Sequence, residues 1–150
     1  MSIITGASIA APLVASPDPV AVLRAILLAR LEATGQTAVT VVGNVRSAGV
    51  EPPFYVLSEA GALRARGPGA YSPARVGLSA WAATEDAAAA AYRLASDLLH
   101  RQGPLVVDGA GVWKIFDETG LQRPLPDPDS DWWSASGVFD LVMTDRAVGP

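Results

Sequence analysis

Residues that commonly perform chemistry are scarce in this chain of 150 residues. It contains no cysteine, and His100 is its single histidine, so thiolate nucleophiles, iron–sulfur clusters and zinc sites rich in cysteine or histidine are excluded. No serine lies in a G-x-S-x-G turn, and the carboxylates fall mostly at turns and helix starts, where capping accounts for them. His100 lies near the expected end of a helix, where a cationic ring suits the helix dipole. We therefore predict no catalytic residue, no cofactor and no enzymatic activity.

Three acidic residues, Asp127, Asp129 and Asp131, have the alternating spacing that begins a calcium-binding loop. An EF-hand also needs glycine at loop position 6 and glutamate at position 12, where this chain has Trp132 and Val138. The EF-hand interpretation therefore fails. We predict a solvated acidic loop in this turn-rich stretch and no metal site.

The distribution of charge argues against binding to nucleic acid. The chain has 15 acidic and 11 basic residues, a net charge of −4 and a pI near 4.8, whereas DNA-binding domains present a basic face. Residues 1–124 carry ten acidic and ten basic side chains, so the net charge lies in residues 125–150, with five acidic residues and one basic. The glycine pairs at 67–69 and 109–111 lack a phosphate-loop pattern and are interpreted as turns. No run approaches the ~20 apolar residues of a membrane-spanning helix.

The adjacent residues Trp132 and Trp133 directly follow the acidic loop. Neighbouring residues of a strand face opposite sides of its sheet. One indole is therefore expected in the core and the other toward solvent or a partner, since tryptophan is enriched at interface hot spots.

Two helices are predicted from apolar periodicity and capping residues. Asp18 is the expected N-cap of the first helix, with Pro19 in its first turn and Gly35 just after its end. Thr84 is the expected N-cap of the second helix, which is predicted to continue to Gly103.

Segments rich in β-branched residues between and after these helices predict strands, so the expected fold is α+β: a mostly antiparallel β-sheet with both helices packed on one face. Residues 1–16 have no charged side chain and so lack the positive start of an export signal. We expect an extended N-terminal arm there, the alternative being a disordered end. Ala60–Pro73 is expected to form a long β-hairpin loop. Residues 17–150 are expected to form one domain.

The order of these pieces resembles the tail-terminator, or tail-completion, proteins of long-tailed phages, especially phages of actinobacterial hosts. The resemblance rests on an early helix, DPVAVLRAILLARL, on the strand-to-helix segment ARVGLSAWAATEDAAAAAYRLASDLLHRQG, and on the closing WWSASGVFDLVM. With the β-rich section and variable loop that follow the first helix, these pieces cover about Asp18 to Thr144.

The resemblance implies a structural virion protein that assembles in the host cytoplasm and lies at the head–tail neck. Six copies would form a ring that caps the tail tube, ends its polymerisation and joins the tail to the head. The implied partners are other copies of this chain, the major tail-tube protein and a head-side stopper or connector protein. DNA would pass through without specific binding, and no membrane is involved. The alternatives are another neck protein (a stopper or an adaptor), a small ligand-binding module and a small enzyme.

A cyclic ring needs two unlike contact patches on each subunit. The residues expected to contact a neighbouring subunit or the tail tube are Arg64, Arg66, Tyr71, Trp132 and Trp133. The acidic loop is expected to complement the charge of the two arginines or to line the channel, where it would repel DNA phosphate.

Overall fold

The computed structural model describes residues 13–15, 18–36, 40–42, 51–62, 71–107, 110–144 and 146–148. Within these ranges the chain forms two helices and nine strands, in the order β1-α1-β2-β3-β4-α2-β5-β6-β7-β8-β9. The helices are α1 (Pro19–Ala33) and α2 (Glu85–Leu99). The strands are β1 (Leu13–Ala15), β2 (Thr40–Val42), β3 (Phe54–Ala62), β4 (Tyr71–Ala82), β5 (Leu105–Val107), β6 (Ala110–Asp117), β7 (Leu125–Pro126), β8 (Trp133–Thr144) and β9 (Arg146–Val148).

Six of these strands form a curled sheet in the order β2-β3-β4-β8-β6-β5, and the short β7 pairs with the start of β8. Only the β2–β3 pair is parallel among the pairs that the described residues form. The centre of the sheet is the long β4–β8 ladder, which runs from Tyr71 opposite Thr144 to Ala82 opposite Trp133. The predicted α+β fold with a mostly antiparallel sheet is confirmed.

Both helices pack on one face of this sheet, as predicted. Alternate residues of β4 and β8, such as Leu78 and Phe139, point to that face and are at most 3% exposed. They form one core cluster with Leu23 and Leu27 of α1 and Tyr92 of α2. Burying each such side chain stabilises the fold by about 1.5–3 kcal/mol before entropic costs. The opposite face of the sheet is left uncovered by the helices.

The first helix has the boundaries that its capping residues predict. The Asp18 carboxylate accepts a hydrogen bond from the Val20 N–H at 3.0 Å, and Pro19 occupies the first helical position. The helix ends at Ala33, and Gly35 then adopts a φ of +79°. That left-handed conformation suits glycine because it has no Cβ.

The second helix starts as predicted but ends earlier. Thr84 accepts a hydrogen bond from the Ala87 N–H at 3.1 Å. The helix was expected to continue to Gly103, but it ends at Leu99, so His100 lies beyond its last turn as the C-cap. The reason is competition from β6: the Arg101 N–H donates a hydrogen bond to the Ile115 carbonyl at 2.7 Å, which holds the backbone against β6.

The expected hairpin is present, but its loop is shorter than predicted. β3 and β4 pair antiparallel, and both extend into the stretch Ala60–Pro73 that was interpreted as loop. Ala62 pairs with Ala74, and Tyr71 pairs with Thr144 of β8. Hydrogen bonds between the paired strands thus extend β3 and β4 into a stretch whose glycine and proline content had predicted a loop. The connection 63–70 lies outside the described residues.

Most of the expected N-terminal arm, residues 1–12 and 16, also lies outside the described residues. Its remaining part, β1, is extended and pairs antiparallel with β9. Leu13 lies opposite Val148, and Ala15 lies opposite Arg146. The chain therefore enters α1 from a two-stranded ribbon shared with the C-terminal strand.

Candidate assembly surfaces

The expected interface residues are divided between the two ends of the β4–β8 ladder. Tyr71 begins β4 at one end, and Trp133 begins β8 at the other. A twelve-residue strand spans roughly 40 Å at about 3.3 Å per residue. Arg64 and Arg66 lie outside the described residues, in the connection that enters β4 at Tyr71. The described residues that flank this connection, Ala62 and Tyr71, therefore lie toward the end of the ladder opposite Trp133.

The acidic loop is an ordered turn built around Asp127. Its carboxylate accepts hydrogen bonds from the Asp129 N–H at 3.3 Å and from the Ser130 hydroxyl at 2.7 Å. The Asp127 N–H donates to the Trp132 carbonyl at 2.9 Å, and the Trp132 N–H donates to the Ser130 hydroxyl oxygen at 3.2 Å. Asp127 thus shapes the turn, whereas Asp129 and Asp131 are exposed to solvent.

Further carboxylates lie at the same end of the sheet as this turn. Glu51 precedes β3, and Glu85 and Asp86 begin α2 shortly after β4. The start of β3 pairs with the end of β4, which pairs with the start of β8. Together with Asp129 and Asp131, these are five exposed carboxylates, which we call the acidic end. Like charges gathered at one end repel anions such as phosphate.

The two adjacent tryptophans lie on opposite faces of the sheet. Trp133 packs against the core beneath the helices. Trp132 lies on the other face, edge-on to Phe54 with ring centroids 5.8 Å apart, and Trp81 stacks on Phe54 at 5.9 Å. Phe54 is only 1% exposed, because these indoles contribute to its cover. The outward tryptophan therefore anchors the acidic turn to the sheet and remains partly exposed.

A charged cluster lies on the face that the helices leave uncovered. Arg75 contacts the Glu118 carboxylate at 3.1 Å and the Asp140 carboxylate at 3.3 Å. Hydrogen bonding to Asp140 and repulsion from its charge raise the pKa of Glu118 above its ordinary value, and Arg75 opposes that effect. Two carboxylates share one guanidinium, so the cluster has one more acidic group than basic groups. The sequence analysis did not predict this cluster, although Arg75 and Asp140 each alternate with apolar residues along their strands.

A second polar network ties α2 to the end of β6. The Asp117 carboxylate accepts hydrogen bonds from the Tyr92 hydroxyl at 3.0 Å, the Ser96 hydroxyl at 2.7 Å and the Gly120 N–H at 2.9 Å. The Asp117 N–H donates to Nδ1 of His100 at 2.9 Å. Burial, together with the negative charge of Asp117, raises the pKa of Tyr92. The ring of His100 thus accepts a hydrogen bond from β6, and the residue lies after the last turn of α2, whereas the sequence placed it within that turn.

The sheet also exposes large apolar side chains near the β5 edge. Val106 is 79% exposed and Trp113 is 56% exposed. The sequence indicated one or two strands here, but not that β5 would end the sheet. Edge position depends on long-range strand order, which local sequence does not encode.

Neither helix among the described residues has the length and apolar content to cross a membrane. Within the same described ranges, no three His, Asp or Glu side chains are grouped so that they could hold a metal ion.

Comparison with known proteins gives a likeness of fold. No protein-family model and no curated protein matches the chain. Among solved structures, the chain is similar to one in the virion of a native gene transfer agent (GTA) particle, with a TM-score of 0.50 and 20% sequence identity. The similarity covers 89% of this chain and 100% of that chain. At this identity the likeness establishes a shared fold.

Proposed function

We propose that this protein is a structural component of a phage or phage-like virion, and specifically a tail terminator without enzymatic activity. The likeness of fold to a chain of a GTA virion carries the proposal, because it extends over the whole of that chain. The resemblance in the order of sequence segments to tail terminators supports the finer assignment. In this role several copies, six by that resemblance, form a ring on the finished tail tube and connect it to the head.

The placement of charge suits a ring through which DNA passes. The acidic end has five exposed carboxylates, which lie at strand ends, at a helix start and in the turn around Asp127. Directed at the channel, this surface repels phosphate and lets DNA move without binding. The connection with Arg64 and Arg66 leaves the sheet at the other end, where it can reach a neighbouring subunit or the tail tube without competing with the acidic end.

Reversal of charge in that connection tests the assignment. The double variant Arg64→Glu/Arg66→Glu is expected to lower the yield of tails joined to heads by about tenfold or more, since like charges placed across an interface cost several kcal/mol. Joined particles are counted by electron microscopy after complementation of a phage that lacks the gene. Circular dichroism of the purified variant is expected to match that of the parent protein.

The matched control is Arg93→Glu/Arg123→Glu, which makes the same change of charge at two exposed positions away from the connection. It is expected to leave assembly near the parent level. Equal assembly by the two double variants would remove Arg64 and Arg66 from the interface.

A further inference from the structure

One side of the edge strand β5 is not paired with any described strand. It ends the sheet order within the described residues and pairs with β6 on one side. Its segment Leu105–Val107 carries no charge, and Val106 at its centre is 79% exposed. Edge strands usually carry charges, bulges or covering segments that prevent such pairing. An uncovered apolar edge is a template for an added strand.

Two apolar depressions adjoin this edge. One, of about 420 Å³, lies between β5 and the small side chains of α1, with Arg30 at its border. The other, of about 210 Å³, lies over β5 and β6 beside Trp113, and no described residue of α1 lines it. Side chains of a strand alternate between its two faces. A strand added to β5 would therefore place one set of side chains in the larger depression and the other set in the smaller one.

The N-terminal segment of the chain has the composition of such a strand. Residues 1–17 contain no charged side chain, so their burial carries no desolvation penalty for an ion. If this segment forms a strand, its side chains alternate between two faces, with the larger ones mainly on one face and the smaller ones mainly on the other. The first side has Ile3, Thr5, Ala7, Ile9 and Ala11, and the second has Ile4, Gly6, Ser8 and Ala10.

The register of the terminal ribbon indicates where this segment starts. β9 follows β8 along the chain, and β1 pairs with it antiparallel, Ala15 opposite Arg146 and Leu13 opposite Val148. Leu13 therefore lies at the end of the ribbon that is farther along the chain from β8. The segment that precedes Leu13 begins at this end of the ribbon, which is the end away from β8 along the chain. We therefore expect this segment to bind a neighbouring copy.

We propose that residues 3–11 of one copy add as a strand to the β5 edge of the adjacent copy, with Ile3 and Ile9 in the depression beside α1. The guanidinium of Arg30 would donate hydrogen bonds to carbonyl groups of the added strand. This inference rests on the proposed ring, because it supplies one of the two unlike patches that cyclic assembly needs. The segment is one patch, and the β5 edge is the other.

Disulfide trapping tests the pairing directly, since the chain has no cysteine of its own. Val106 faces away from the core, whereas Leu105 and Val107 pack against it, so its partner is taken from the set of side chains opposite Ile9. Two full-length proteins with different tags, one with Ala10→Cys and one with Val106→Cys, are mixed and oxidised. A disulfide needs Cβ atoms within about 4.5 Å, so the dimer carrying both tags is expected to form at least about tenfold more than in the control mixture. In the control mixture, Val106→Cys is replaced by Ser58→Cys, which lies at an exposed position of β3.

The double variant Ala10→Cys/Val106→Cys in one chain distinguishes pairing between copies from pairing within a single copy. A ladder of chains linked to one another supports the proposal, whereas a disulfide confined to single chains overturns it. Equal yields with Val106→Cys and Ser58→Cys also overturn it. The tail-length phenotype of a phage lacking the gene does not depend on this result, so loss of the pairing leaves the proposed function standing.

Discussion

Replacing Gly137 with alanine is expected to destabilise the protein by about 3 kcal/mol, which corresponds to a fall in Tm of roughly 6–12 °C. Gly137 lies at the centre of β8, and a Cβ there would overlap the phenol of Tyr92. Tyr92 is only 1% exposed and is held by its hydrogen bond to Asp117. Because the ring is buried and its hydroxyl is hydrogen-bonded, relief of the overlap is expected to shift α2 away from the sheet.

The matched control is Gly77→Ala on the adjacent strand, where Gly77 lies opposite Val138. A Cβ at Gly77 would meet the Ser58 hydroxyl at 3.0 Å, and that exposed side chain can rotate away. Its effect on the free energy of unfolding is expected to stay below about 1 kcal/mol. Urea denaturation of the three proteins measures the difference. Equal stability of the two alanine variants would contradict the packing of Tyr92 over Gly137.

Replacing Asp117 with alanine is expected to cost about 2–4 kcal/mol of stability. The carboxylate accepts hydrogen bonds from Tyr92, Ser96 and Gly120, and these donors belong to α2 and to the turn after β6. Bonds to an ionised acceptor are each worth more than neutral ones, and the half-buried donors lose their partner together. The same variant is expected to lower the pKa of Tyr92, because a negative charge next to the phenol is removed.

Asp97→Ala is the control for this variant, because Asp97 is an exposed acidic residue on the same helix. It is expected to change the free energy of unfolding by less than about 0.5 kcal/mol. Chemical denaturation gives the stabilities, and ultraviolet titration of the phenols gives the pKa. If Asp117→Ala were as stable as Asp97→Ala, the network would not be what fastens α2 to β6.

Local signals predicted the helix starts and the class of fold because those features depend on neighbouring residues. Asp18 accepts a hydrogen bond from the residue two positions later, and Thr84 accepts one from the residue three positions later. Such short spacings can be recognised in the sequence. The predicted end of α2 lies beyond the observed one, because the observed end depends on Ile115, which is distant in sequence. The Ile115 carbonyl accepts a hydrogen bond from the Arg101 N–H. The lengths of β3 and β4 were underestimated for the same reason: pairing partners decide where a strand stops.

The candidate surfaces were predicted less completely than the fold. The opposite directions of Trp132 and Trp133 follow from strand alternation alone. The sequence did not indicate that Asp127 shapes the turn while Asp129 and Asp131 are exposed. That difference is visible only in the hydrogen bonds of the turn. The acidic end and the open β5 edge arise from strand order in the sheet, which sequence periodicity does not specify.

The distribution of tail lengths in a phage that lacks this gene tests the central proposal most directly. Negative-stain electron microscopy of lysates is compared with lysates in which the intact gene is supplied in trans. A tail terminator predicts a broad distribution of overlong tails separate from DNA-filled heads, with a single length restored by complementation. Tails of normal length left unjoined would instead indicate a stopper or adaptor. Normal infectious particles made without the protein would contradict a role in the virion.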